Sequence, residues 1–75
     1  MIDEIASRVR SAAPDHQKIA MFHFMILKHA FELKDVDPVE FCRKIEVPES
    51  FATEFRKMIA LRRLMRELNV GLSFL

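Results

Sequence analysis

Three prolines divide this chain, and each limits what can follow it. Pro14, Pro38 and Pro48 cannot lie inside a helix without deleting a hydrogen bond and clashing with the preceding turn. Each is at home in a first turn, where the missing N–H has no partner to lose. The stretches they open hold one glycine, Gly71, no run of β-branched residues, and an abundance of Leu, Met, Ala, Glu, Lys and Arg. Such a chain is all-α. The expected fold is a compact bundle of about four helices, near residues 2–12, 14–34, 38–46 and 48–69, in a single domain over 1–75.

The first expected helix sets Ile2, Ile5, Ala6 and Val9 on one side at spacings of three and four. The second reads as the central core helix, with Gln17, Lys18, Lys28, His29 and Glu32 as its outward stripe. Met21 and Met25 fall inside that stripe, so the pattern calls for cover from the tail or from another subunit. The third has the clearest start: Asp37 as cap, Pro38 first, and Glu40 placed to reach back in a capping-box-like pair. The fourth runs toward Asn69 and Gly71, which read as a carboxyl cap.

A domain of 75 residues buries only about 60% of its unfolded surface, so help from a partner is expected. Cys42 stands alone, which rules out an internal disulfide or a thiolate zinc cluster and fits a reducing, cytoplasmic setting. The first ten residues mix Asp3, Glu4, Arg8 and Arg10 into their apolar positions and do not read as a signal peptide. The longest apolar run, residues 19–27, is interrupted by His23 and falls far short of a membrane span. Arg62, Arg63 and Arg66 alternate with Leu61, Leu64 and Met65 as a membrane-surface helix would, but the same pattern describes a buried helix edge, and no membrane is expected as partner.

His16, His23 and His29 share no three- or four-residue spacing, so neither metal nor other cofactor is expected; His23 reads as a core histidine with a hydrogen-bond partner. Without a glycine-rich phosphate loop, an acid/base pair or a nucleophile beside a base, the chain does not read as an enzyme. Twelve Lys and Arg against eleven Asp and Glu leave a formal charge of +1 and no strong global field. The distribution says more, because residues 55–66 hold Arg56, Lys57, Arg62, Arg63 and Arg66 with no acid.

Residues 40–57, EFCRKIEVPESFATEFRK, carry the strongest local pattern. Two helices crossing steeply need a small inward residue on the first, a hydrophobic plug at the corner and an inward apolar pair on the second. Phe41, Cys42 and Ile45 supply the first face, Val47 the plug, and Phe51, Ala52 and Phe55 the anchor of the next helix. At these residues the chain resembles the helix-turn-helix superfamily, and more narrowly small bacterial HTH-like domains, with KIAMFHFMILKHAFEL (18–33) similar to their preceding core helix. Glu46 departs from the pattern, standing at a corner where glycine is common because the backbone is often left-handed.

The resemblance implies a DNA-binding protein, a small bacterial transcriptional regulator with the fourth helix in the major groove. It would aim Glu49, Ser50, Thr53, Glu54 and Lys57 at duplex DNA, with Arg56 and Arg63 beside them. Helical geometry separately places Glu49, Thr53, Arg56, Lys57, Ala60 and Arg63 on one polar face. The bases suit phosphate or guanine edges, whereas Glu49 and Glu54 are repelled by a polyanion unless paired or reading a cytosine amino group.

The latter half of that helix turns its apolar side elsewhere. Met58, Leu61, Leu64, Met65 and Leu68 centre more than about 100° from Phe51 and Phe55, so the helix either breaks near Ala60 or packs its second half on something different. With Leu72 and Phe74, the residues Leu61, Leu64, Met65 and Leu68 read as a homodimer surface, which would let two recognition helices address successive half-sites. The competing reading is a helical protein-interaction module, an adaptor or inhibitor, that docks this apolar half on a partner protein and does not bind DNA.

Overall fold

The computed structural model describes residues 1–12 and 16–72. Pro14, the expected opener of the second helix, and Phe74 lie outside them. The described chain is all-α, with α1 Ile2–Ser11, α2 His16–Lys28, α3 Ala30–Leu33, α4 Pro38–Lys44 and α5 Phe51–Glu67. In α1, Asp3 and Glu4 occupy the first turn and Arg8 and Arg10 the last, matching the helix dipole at both ends. Asp37 caps α4 by accepting the Val39 N–H at 3.4 Å, and Pro38 opens it as expected. Among the described residues Glu40 makes no hydrogen bond that closes a capping box.

The second helix is not continuous. At His29 the backbone leaves the helical basin (φ −107°, ψ 19°) and separates α2 from α3. The outward side of α2 also differs from expectation. Gln17, Lys18 and Lys28 are exposed as expected, but Met25 is buried and Met21 packs against the core, while Ala20 and Phe24, and Phe31 on α3, are exposed. α1 packs on α2, and its Glu4 lies 3.5 Å from Lys28 Nζ and 3.9 Å from His29 Nε2.

The core gathers residues from every helix: Ile5 and Val9 from α1, Phe22 and Ile26 from α2, Leu33 from α3, Phe41 and Cys42 from α4, and Ala52 and Phe55 from α5. Aromatic rings connect three of these elements. Phe22 meets Phe51 edge-on at 5.1 Å and Phe41 at 6.4 Å, and Phe41 meets Phe55 at 5.2 Å. No polar or charged residue is buried among the described residues. Cys42 has no exposed surface, and burial pushes its thiol above the ordinary pKa, in keeping with a packing role.

Candidate nucleic-acid interface

The corner between α4 and α5 begins where α4 stops. Val47 N–H bonds to the Cys42 carbonyl at 3.0 Å and Glu46 N–H to the Arg43 carbonyl at 3.2 Å, the paired bonds of a Schellman termination. That geometry requires a left-handed residue, and Glu46 adopts it with φ 61°. Val47 then folds back onto the core as the plug. Pro48 does not open the next helix directly. Phe51 N–H bonds to the Pro48 carbonyl and Ala52 N–H to that of Glu49, both at 2.9 Å, so one tight i to i+3 turn precedes α5. The corner is therefore longer than expected, with helix absent from Ile45 to Ser50.

From that corner α5 runs unbroken to Glu67, which removes the expected alternative of a break near Ala60. It ends by the same device as α4: Val70 N–H reaches the Met65 carbonyl at 2.7 Å, Asn69 N–H the Arg66 carbonyl at 3.1 Å, and Asn69 is left-handed at φ 57°. Asn69, not Gly71, supplies the cap conformation. Ala52 and Phe55 are buried on α5, so at about 100° per residue Thr53, Lys57 and Ala60 turn away from the core while Arg56 and Arg63 flank the buried side, and all five are exposed. Ser50 is exposed at the helix entrance, and its hydroxyl makes no capping bond.

Glu54 does not stand with this group. It is half-buried toward α2, accepting from His23 Nε2 at 2.8 Å through one oxygen and from Lys57 Nζ at 3.2 Å through the other. A carboxylate can only accept, so the His23 proton sits on Nε2. These two bonds, His23 first, hold the Glu54 carboxyl below its ordinary pKa. The predicted partner for His23 is thus Glu54, at the edge of the core. Glu49 is engaged as well, accepting from Arg43 Nε at 2.8 Å. Each acid that would face a polyanion already has a basic partner within the domain.

This arrangement accompanies a match along most of the sequence: a family model described as an HTH-like domain matches residues 1–67. The chain belongs to the HTH-like domain family. No curated protein and no solved structure matches it.

In this HTH-like domain the second half of α5 leaves its apolar residues uncovered. Leu64 is 49% exposed and Leu68 64%, with Leu61 and Val70 exposed beside them, while Met65 and Leu72 are half-buried. On the other flank of α5, Arg62, Arg63 and Arg66 join Lys28 and Lys34 around a groove of about 570 Å³ against α2 and α3. Of these, only Arg63 belongs to the contact set expected from the sequence. The basic run at 55–66 signalled one wall; the lysines of the other wall are remote in sequence, and no periodicity brings them there. Among the described residues no three His, Cys, Asp or Glu side chains could hold a metal ion, and no helix is long and apolar enough to cross a membrane.

Proposed function

We propose that this HTH-like domain binds duplex DNA through the exposed face of α5 and acts as a small transcriptional regulator by occupying its site. The observation that supports this best is the internal pairing of Glu49 and Glu54. With those acids satisfied by Arg43, His23 and Lys57, the groove-facing set is Ser50, Thr53, Arg56, Lys57 and Arg63, which is polar and cationic. Arg56, Lys57 and Arg63 contact phosphates and fix the register; Ser50 and Thr53 hydrogen-bond to phosphate or base edges. Glu54 orients Lys57 and makes no base contact of its own. Arg56 and Arg63 lie seven residues apart on nearly one azimuth, about 10 Å along the axis, a span suited to successive backbone contacts.

The domain acts as a homodimer in this reading, joined through Leu61, Leu64, Met65 and Leu68 with Leu72 following. Fluorescence anisotropy with mixed-sequence duplex DNA, at low and moderate salt, is the direct test. The expected result is salt-sensitive binding, weakened about tenfold or more by R56A with K57A while helicity by circular dichroism stays unchanged. Unchanged affinity removes these residues from the interface.

A second reading has one specific observation behind it, the uncovered stripe of Leu61, Leu64 and Leu68 on a domain whose net charge is only +1. In that reading the HTH-like architecture presents the stripe to a partner protein and DNA plays no part. Absence of any duplex binding at high protein concentration, with a monomeric mass by light scattering, favours it.

A further inference from the structure

The groove between α2–α3 and α5 joins two chemistries. Its less exposed lining holds three apolar residues, Leu27, Ala30 and Ile59, beside Arg62. Around it stand Lys34, Arg62, Arg63 and Arg66, with Glu67 the one acid in the lining. Lys28 also borders it but is held by Glu4 from α1. Phe31, 68% exposed, forms part of one wall, and Lys34 Nζ sits 4.8 Å from the centre of its ring. One guanidinium nitrogen of Arg62, Nη1, is buried with no hydrogen-bond partner among the described residues. A buried cationic donor without an acceptor is costly.

We propose that this groove binds an acidic segment of a partner protein, which seats an aliphatic or aromatic side chain on Leu27, Ile59 and Phe31 and pairs its carboxylates with Lys34, Arg62, Arg63 and Arg66. Charge complementarity sets the sign of the ligand, and the apolar lining requires a greasy anchor that a phosphodiester chain lacks. A single-stranded nucleic acid, which could supply a base to stack on Phe31, is the outcome that the oligothymidylate measurement below separates from peptide binding. The volume of about 570 Å³ falls within the roughly 300–1,000 Å³ of ligand-accepting clefts. The site lies toward the carboxyl end of α5, away from Ser50 and Thr53, and shares only Arg63 with the DNA face. It does not depend on DNA binding.

The test selects a random-peptide phage library on the full chain. Binding of the selected peptides is then measured by anisotropy against the wild type, F31A, and the double variant K34E with R66E. Phe31 is exposed, so F31A should fold, and circular dichroism verifies this for both variants. The expected result is enrichment of Asp and Glu around Leu, Ile or Phe, with affinity falling about tenfold or more in each variant, while duplex DNA affinity of F31A stays within about twofold. Selected peptides without acidic enrichment, or peptides that bind both variants as tightly as wild type, overturn the proposal. So does a Phe31-dependent affinity for oligothymidylate without peptide binding, or a comparable loss of duplex binding in F31A, which would assign the groove to nucleic acid.

Discussion

Glu46 occupies a conformation that its side chain opposes. Left-handed backbone costs a residue with a Cβ roughly 1–2 kcal/mol, yet the Schellman bonds from Glu46 and Val47 hold it there. Glycine removes that steric cost and restores about 0.5–1 kcal/mol of unfolded-state freedom. E46G should therefore stabilise the domain by up to about 1 kcal/mol, read as a higher midpoint in urea with unchanged m; a destabilised variant would show that the carboxylate has a role its contacts do not reveal. Glu54 makes a second residue-scale prediction. Its pKa is lower in the folded state than the ordinary 4.5, so the stability it contributes is complete above that value and disappears as pH falls through the lowered one. The Tm gap between wild type and E54Q should be open at neutral pH and close as the pH falls below the ordinary carboxylate range. A gap that persists unchanged in acid would mean that the charge is irrelevant to the bonds with His23 and Lys57.

At the scale of elements, α4 and the helix-bearing corner were readable because their signals are local. Asp37, Pro38, Val47 and the inward positions of 41, 42, 45, 52 and 55 each follow from neighbours within a few residues. The break at His29 was not readable: neither glycine nor proline marks it, and apolar residues recur across it. Pro48 misled by three residues, since a proline serves a single tight turn as well as it serves the first turn of a helix. The rotation of the apolar pattern along α5 was legible, and its resolution is a continuous helix whose second half is left open. That openness gives the dimer reading its test. L64E places a charge in the middle of the stripe without touching the core, so a dimer by light scattering should become monomeric while the circular dichroism spectrum is retained. A mass unaffected by L64E would locate any self-association elsewhere.

The whole molecule draws its stability from one small apolar core. A domain of this length has roughly 4–11 kcal/mol in hand, and truncating a buried phenylalanine costs about 3–5 kcal/mol. Because Phe22 meets both Phe41 and Phe51 and has no exposed surface, F22A should lose much of the total and lower the Tm steeply, measured by thermal unfolding; a shift of only a few degrees would show that the core relaxes around the void. The same scale decides which face of each helix is covered. The sequence by itself determined the helical class, the corner at Glu46 and Val47, and most of the core, since these depend on backbone propensity and on periodicities sensed over one or two turns. Only the tertiary structure decided that Met25 is buried, that Glu54 answers to His23 from 31 positions away, and that Lys28 and Lys34 share a groove with three arginines of α5. Those outcomes follow from contacts between segments far apart in the chain, where burial of one helix face by another overrides the local pattern.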